Sequence, residues 1–165
     1  MGEVTVRPFR PGDGAGMAAV QFRSVREGAA PHYDQAQLRA WMPAPREATW
    51  YERRAADGRT TFVAVDDHDR IVGYIDLEPD GHIDHLFCDP DVIGTGVAAR
   101  LFQAVEAAAR ASAMPRLYVE ASEAARRLFE RRAFVVVARR ELVLDGGVKI
   151  HNYAMQRTLG PSDQR

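Results

Sequence analysis

The chain has 165 residues, 46% hydrophobic and 27% charged, with 22 basic against 23 acidic side chains and a net charge of −1. This fits one soluble domain that buries a core without staples, and so balanced a charge offers no field for nucleic acid or an anionic membrane. A single cysteine, Cys88, excludes an intramolecular disulfide and a cysteine-based zinc cluster. No apolar run nears the roughly 20 residues of a membrane span, and 1–10 lack a signal-peptide core, so a cytoplasmic protein is expected.

Val4 and Val6 alternate with polar neighbours and predict a strand over 3–9, broken by Pro8 and Pro11. Met17, Val20, Phe22 and Val25 recur at helical spacing, so a helix is expected over 14–27, ended by Gly28 and Pro31. Asp34 is placed to cap a short helix carrying Leu38 and Trp41, and 47–56 forms a third helical segment. From Thr60 the period changes. Strands are expected over 61–66, 71–77 and 83–88, joined by the polar turns Asp67-His68-Asp69 and Glu78-Pro79-Asp80-Gly81.

Asp89-Pro90 ends the meander, and a glycine-containing loop opens a long helix over 96–112. Its apolar face is Val97, Leu101, Phe102, Val105 and Ala109. A strand over 117–120 follows, then a helix capped by Ser122, then strands over 134–144 and 148–156 around Asp145-Gly146-Gly147. The order is that of an α+β domain spanning 3–158, with a central mixed, mostly antiparallel sheet of about six to seven strands flanked by helices. Residues 159–165 form a polar tail.

The chemistry concentrates where the strand over 83–88 gives way to the helix. Gly94, Gly96 and Ala98 are small residues at a helix N-terminus, where unpaired N–H groups and the helix dipole favour a phosphate. On spacing alone a tight strand-to-helix turn explains them equally well, since Gly94-x-Gly96 lacks the third glycine of a dinucleotide fingerprint and the Lys-Ser/Thr of a P-loop.

The run Ile83-Asp84-His85-Leu86-Phe87-Cys88-Asp89-Pro90, followed by Ile93-Gly94-Thr95-Gly96-Val97-Ala98, resembles motif A of the GNAT superfamily of N-acyltransferases. Leu117-Tyr118-Val119-Glu120-Ala121-Ser122 and Leu128-Phe129-Glu130-Arg131-Arg132-Ala133-Phe134 resemble its motif B. The resemblance covers nearly the whole chain, and residues 33–50 are similar to one bacterial subgroup of that family. It implies acetyl-CoA as co-substrate, a small-molecule or peptide amine as acceptor, and a homodimer in which the hairpin over 134–156 could pair. No metal is expected.

By the same resemblance the coenzyme lies in a cleft between two splayed strands. Its contacts are Leu86, Phe87 and Cys88 through their backbone, the loop residues Ile93, Gly94, Thr95, Gly96, Val97 and Ala98, and Phe129. Ile93 stands where a Gln or Arg is usual and Thr95 where a basic residue is common, which removes polar side chains beside the phosphates.

An acceptor ammonium, with an unperturbed pKa of about 10.4, must lose a proton before it attacks. Strand alternation places His82, Asp84, Leu86 and Cys88 on one face and Ile83, His85 and Phe87 on the other. Asp84 is the first candidate for the catalytic base and His82 the second. Phe129 replaces the tyrosine that in the family protonates the leaving thiolate, which leaves Tyr118, Ser122 and Tyr153 as alternative hydroxyls. Tyr33, Trp41 and Glu120 are the candidate acceptor contacts. The competing functions are a CoA-binding module without turnover and a nucleotide binder using the Gly94–Gly96 loop; a meander in place of a βαβ unit argues against the latter.

Overall fold

The structure, a computed structural model, describes residues 2–161. Strands β1 (Thr5–Pro8), β2 (Thr60–Val65) and β3 (Ile71–Leu77) pair in succession, all antiparallel. Every residue of β3 is buried, because both its faces are covered. On one side Tyr74 meets Tyr51, Met17 and Val20 of the helices α1 (Gly14–Arg23) and α3 (Ala48–Ala55). On the other, Val72 and Ile75 meet Leu101, Phe102 and Val105 of α4 (Val97–Ala111). Gly73 lies so close to α4 that a β-carbon there would approach Leu101 Cδ1 to 3.0 Å. The predicted stripe of α4 is its buried face, and each fully buried Leu or Phe contributes about 1.5–3 kcal/mol.

The expected strand over 83–88 is two strands. β4 (His82–Ile83) pairs in parallel with β6 (Arg116–Ala121), whereas β5 (Leu86–Cys88) pairs antiparallel with β3. The break at Asp84-His85 is caused by Asp76 of β3. Asp76 donates its backbone N–H to the His85 carbonyl at 3.1 Å, and its carboxylate accepts the His85 N–H at 2.9 Å. The chain is thereby drawn off β6 and onto β3. The result is two four-stranded sheets, ordered β1-β2-β3-β5 and, with β7 (Val135–Val143) and β8 (Lys149–Thr158), β4-β6-β8-β7. Among the described residues the six or seven expected strands are thus eight.

Two other differences, at the end of the first helix and at Leu159, are small, and the expected caps are in place. The first helix ends at Arg23 and continues as a π-turn, Ser24–Gly28. Asp34 caps α2 (Gln35–Trp41), and Gln37 returns the bond in a full capping box. Leu159, expected in the tail, is buried and donates its N–H to the Pro115 carbonyl at 2.9 Å; residues 162–165 of that tail lie outside the described residues. Ser122 caps α5 (Glu123–Arg131) as expected, its Oγ accepting the Ala125 N–H at 3.2 Å.

Candidate active site

The break between β4 and β5 makes the site. β4 stays beside β6 for two residues only, so past Ile83 and Val119 the two sheets part. β5 is then an edge strand, and its far side faces the gap. The bonds at Val72–Asp89 and Asp76–His85 bracket the β3–β5 ladder, which places the Tyr74–Phe87 pair in its hydrogen-bonded register. Leu86 and Cys88 therefore turn their N–H and C=O groups away from β3, toward the gap.

The gap is the mouth of a cavity of about 480 Å³. Leu86, Phe87 and Cys88 form one wall and Ser122, Ala124, Ala125 and Leu128 the other, with Ala29, His32 and Trp41 over the top. Its floor is the loop Val92–Gly96 and the first turn of α4. Gly94 and Gly96 hold φ of 79° and 88°, and a β-carbon on either would meet nothing within 4 Å, so the space above the helix N-terminus is open. Among the described residues Arg131 is the one formally charged side chain in these walls. An apolar slot ending on the N-terminus of a 15-residue helix suits a ligand with an anionic end and an uncharged arm. The loop is anchored by buried Asp89, whose carboxylate takes Arg23 Nη1 at 2.7 and 2.8 Å and the Asp91 N–H at 2.9 Å.

The titratable groups gather on the opposite face of β4 and β6. His82 stacks on Tyr118 (ring centroids 4.6 Å apart), with Nδ1 2.8 Å from Glu78 Oε1 and Nε2 2.5 Å from Glu120 Oε2. Burial works against the imidazolium, but the bonds to Glu120 and Glu78 outweigh it and raise the His82 pKa above its usual value. Asp84 is held by two arginines, Arg54 Nη2 at 2.5 Å and Arg59 Nη1 at 3.1 Å, which also pair with buried Asp76. Burial alone would raise its pKa; those guanidinium groups, with the charge of His85, bring it down to about 2. Among the described residues Glu78, His82 and Asp84 alone group closely enough to share a metal ion, and each already has a partner.

A family model described as an acetyltransferase (GNAT) domain matches residues 29–157. The chain belongs to the GNAT family. It is 30% identical over 146 residues to the uncharacterized N-acetyltransferase YafP of Escherichia coli, covering 88% of this chain and 91% of YafP. A GCN5-related N-acetyltransferase from Rhodopseudomonas palustris superposes with a TM-score of 0.84 at 31% identity, over 96% of this chain and 98% of that one. The PaiA N-acetyltransferase of Thermoplasma acidophilum, solved with coenzyme A, shares the fold at a TM-score of 0.76 and 12% identity, over 95% and 99% of the two chains. Family membership makes this chain an acyltransferase and sets aside the nucleotide binder.

Set against the expected GNAT residues, Leu86, Phe87, Cys88, Ile93, Gly94, Gly96, Val97 and Ala98 all line the cleft. Thr95 does not; its hydroxyl turns back to the Val92 carbonyl at 2.6 Å. Phe129 also does not. It is 1% exposed and packs edge-on against Phe102 and Phe134, an aromatic cluster that an unsubstituted ring joins without leaving a hydroxyl to be satisfied. Cys88 is a wall and not a nucleophile, since burial pushes its thiol up to about 12.

Trp41 overhangs the cleft. Tyr33 lies behind it, its hydroxyl accepting the Glu123 N–H at 2.8 Å and donating to the His151 carbonyl at 3.2 Å. Glu120 sits with His82 on the other face. His85 departs from the strict alternation. It shares the α3 side with Asp84, stacked on Trp50 and 2.9 Å from the Tyr74 hydroxyl, and burial lowers its pKa to about 4. Sequence reasoning missed Arg54, Arg59, Asp76, Arg131 and the His151–Glu123 pair (2.6 Å). Arg54 lies 30 residues from Asp84 and Glu123 lies 28 from His151, so no local pattern marks them.

Proposed function

We propose that the chain transfers an acetyl group from acetyl-CoA to a primary amine of a small molecule or peptide, by direct attack in a ternary complex. The observation that carries this reading is the cleft between β5 and β6, apolar along its length and ending on the open first turn of α4, with His82 on the far side of the same strand break. Bound there, acetyl-CoA supplies the activated acyl group. The α4 N-terminus, Gly94 and Gly96 hold its pyrophosphate, and the free N–H groups of Leu86 and Cys88 are donors for the thioester carbonyl.

The proton acceptor in this reading is the His82–Glu120 pair rather than Asp84. Glu120, half-exposed, receives the acceptor's ammonium, and His82, supported by Glu78, takes up the proton. A pKa raised above 6.5 brings His82 nearer to that of the amine, whereas a carboxylate held at about 2 by two guanidinium groups is a very weak base. The exposed apolar side chains of edge strand β7, Val135, Val137 and Val143, are where a second copy would pair in a homodimer.

Calorimetric titration with acetyl-CoA, with NAD and ATP as controls, tests the reading. Selective binding of acetyl-CoA is expected, and equal or absent binding of all three would overturn it.

A further inference from the structure

The face of the second sheet that carries Glu120 holds a hollow of about 250 Å³, none of whose walls is shared with the cleft between β5 and β6. Its shape follows from the strand register. Ala154 of β8 stands between Glu120 of β6 and the bulge of β7 at Val137-Ala138. A methyl group leaves the sheet low at that point, and Tyr118, Gln156 and Arg140 rise around it.

Charge is divided across this hollow. Toward β4, Glu120 meets His82 Nε2 at 2.5 Å, and the hydroxyl of Tyr118 is bonded to Asp80. The other charges are two guanidinium groups. Arg116 lies over the Tyr118 ring, 4.8 Å from its centroid, and donates to Gln156 Oε1 at 3.1 Å. Arg140 reaches in from β7. The other arginines of these strands, Arg139 and Arg157, are paired with Glu141 and Glu106, whereas among the described residues neither Arg116 nor Arg140 has a carboxylate partner. An unpaired guanidinium fork facing a hollow suits a carboxylate. The ligand is short, because β6 and β7, with β8 between them, lie only about 10 Å apart.

We propose that this hollow seats the acceptor and that the acceptor is a free amino acid. Arg140, with Arg116 beside it, holds the carboxylate, and Glu120 receives the ammonium a few bonds away. The inference rests on the reading of the chain as an acetyltransferase with the His82–Glu120 pair as proton acceptor. In the step, the ammonium gives one proton to that pair, and the amine nitrogen bonds to the thioester carbon. The carbon–sulfur bond breaks with its electron pair on sulfur, where the nitrogen's second proton ends. The products are an N-acetyl amino acid and coenzyme A. Acetylation removes the charge that Glu120 held, which loosens the product.

The test measures release of coenzyme A thiol from acetyl-CoA with each of the twenty common amino acids, and calorimetric binding of each to the coenzyme A complex. Every amino acid that reacts or binds is compared with its primary amide and its decarboxylated amine, which keep the ammonium and lose the carboxylate. The natural protein should favour the acid by about tenfold or more in kcat/KM or Kd, the size of a hydrogen bond to a charged group. Arg140→Met should cut that preference by about tenfold to a hundredfold, and Arg140→Lys should keep part of it. The ratio between proteins cancels any difference in basicity among the amines. Arg140 is exposed, so the variants should melt with the natural protein.

Amides and amines used as well as the acids, or a preference that survives Arg140→Met, overturns the proposal. So does a protein that binds acetyl-CoA yet neither acetylates nor binds any of the amino acids. Failure to bind acetyl-CoA overturns the acyl-CoA reading itself, and this proposal with it.

Discussion

Asp84→Asn separates a structural from a catalytic carboxylate. A carboxyl drawn from 3.8 down to about 2 by its arginine partners, on a side chain 29% exposed, contributes roughly 2 kcal/mol to stability at neutral pH. The contribution is complete above about pH 4 and is lost as pH falls toward 2, because the folded form then gives up its advantage in holding the charge. Asparagine keeps the shape but leaves Arg54 and Arg59 to Asp76 and Asp57. Thermal unfolding at pH 7 should show a loss of about 4–8 °C for a domain of this size, and the gap should close between pH 4 and 2. Turnover with acetyl-CoA and a responsive amine, measured well below the melting point, should stay within about threefold. An unchanged melting temperature with a hundredfold loss of kcat would refute this reasoning and make Asp84 the base.

His82→Gln should lower kcat by about a hundredfold or more when turnover is measured well below the melting point. In the natural protein kcat/KM should rise with pH through a value above 6.5, since the raised pKa keeps His82 protonated to higher pH; a flat profile would exclude it as the titrating base. Phe129→Tyr restores the hydroxyl usual in the family, but places it in the ring cluster with Phe102 and Phe134. Thermal unfolding should show a loss of about 1–3 kcal/mol with no gain in kcat, and a faster enzyme would mean that the side chain reaches the cleft after all. Val137→Lys on the exposed edge strand should turn a dimer into a monomer by sedimentation, while an oligomeric state insensitive to this change would move the interface off β7.

Much of the fold is legible in the chain because periodicity is a local property. The α4 stripe from Val97 to Ala109, the Ser122 cap and the Asp145–Gly147 turn are each specified by residues within a few positions of one another. The Gly94–Gly96 loop is legible for the same reason, its two glycines and the helix that follows being contiguous. The break at Asp84-His85 could not be read this way. It depends on Asp76, nine residues upstream of His85, taking the place of a strand partner. That break opens the cleft and overrides strict alternation, putting His85 on the side of Asp84.

The same limit applies to the base. Sequence position makes Asp84 and His82 nearly equivalent, and charge alone favours the aspartate. Only the tertiary structure brings Arg54 and Arg59 to Asp84, and Glu78 and Glu120 to His82. A side chain's acidity is set by the charges within a few ångströms of it, and those charges come from strands and helices that meet only when the chain has folded.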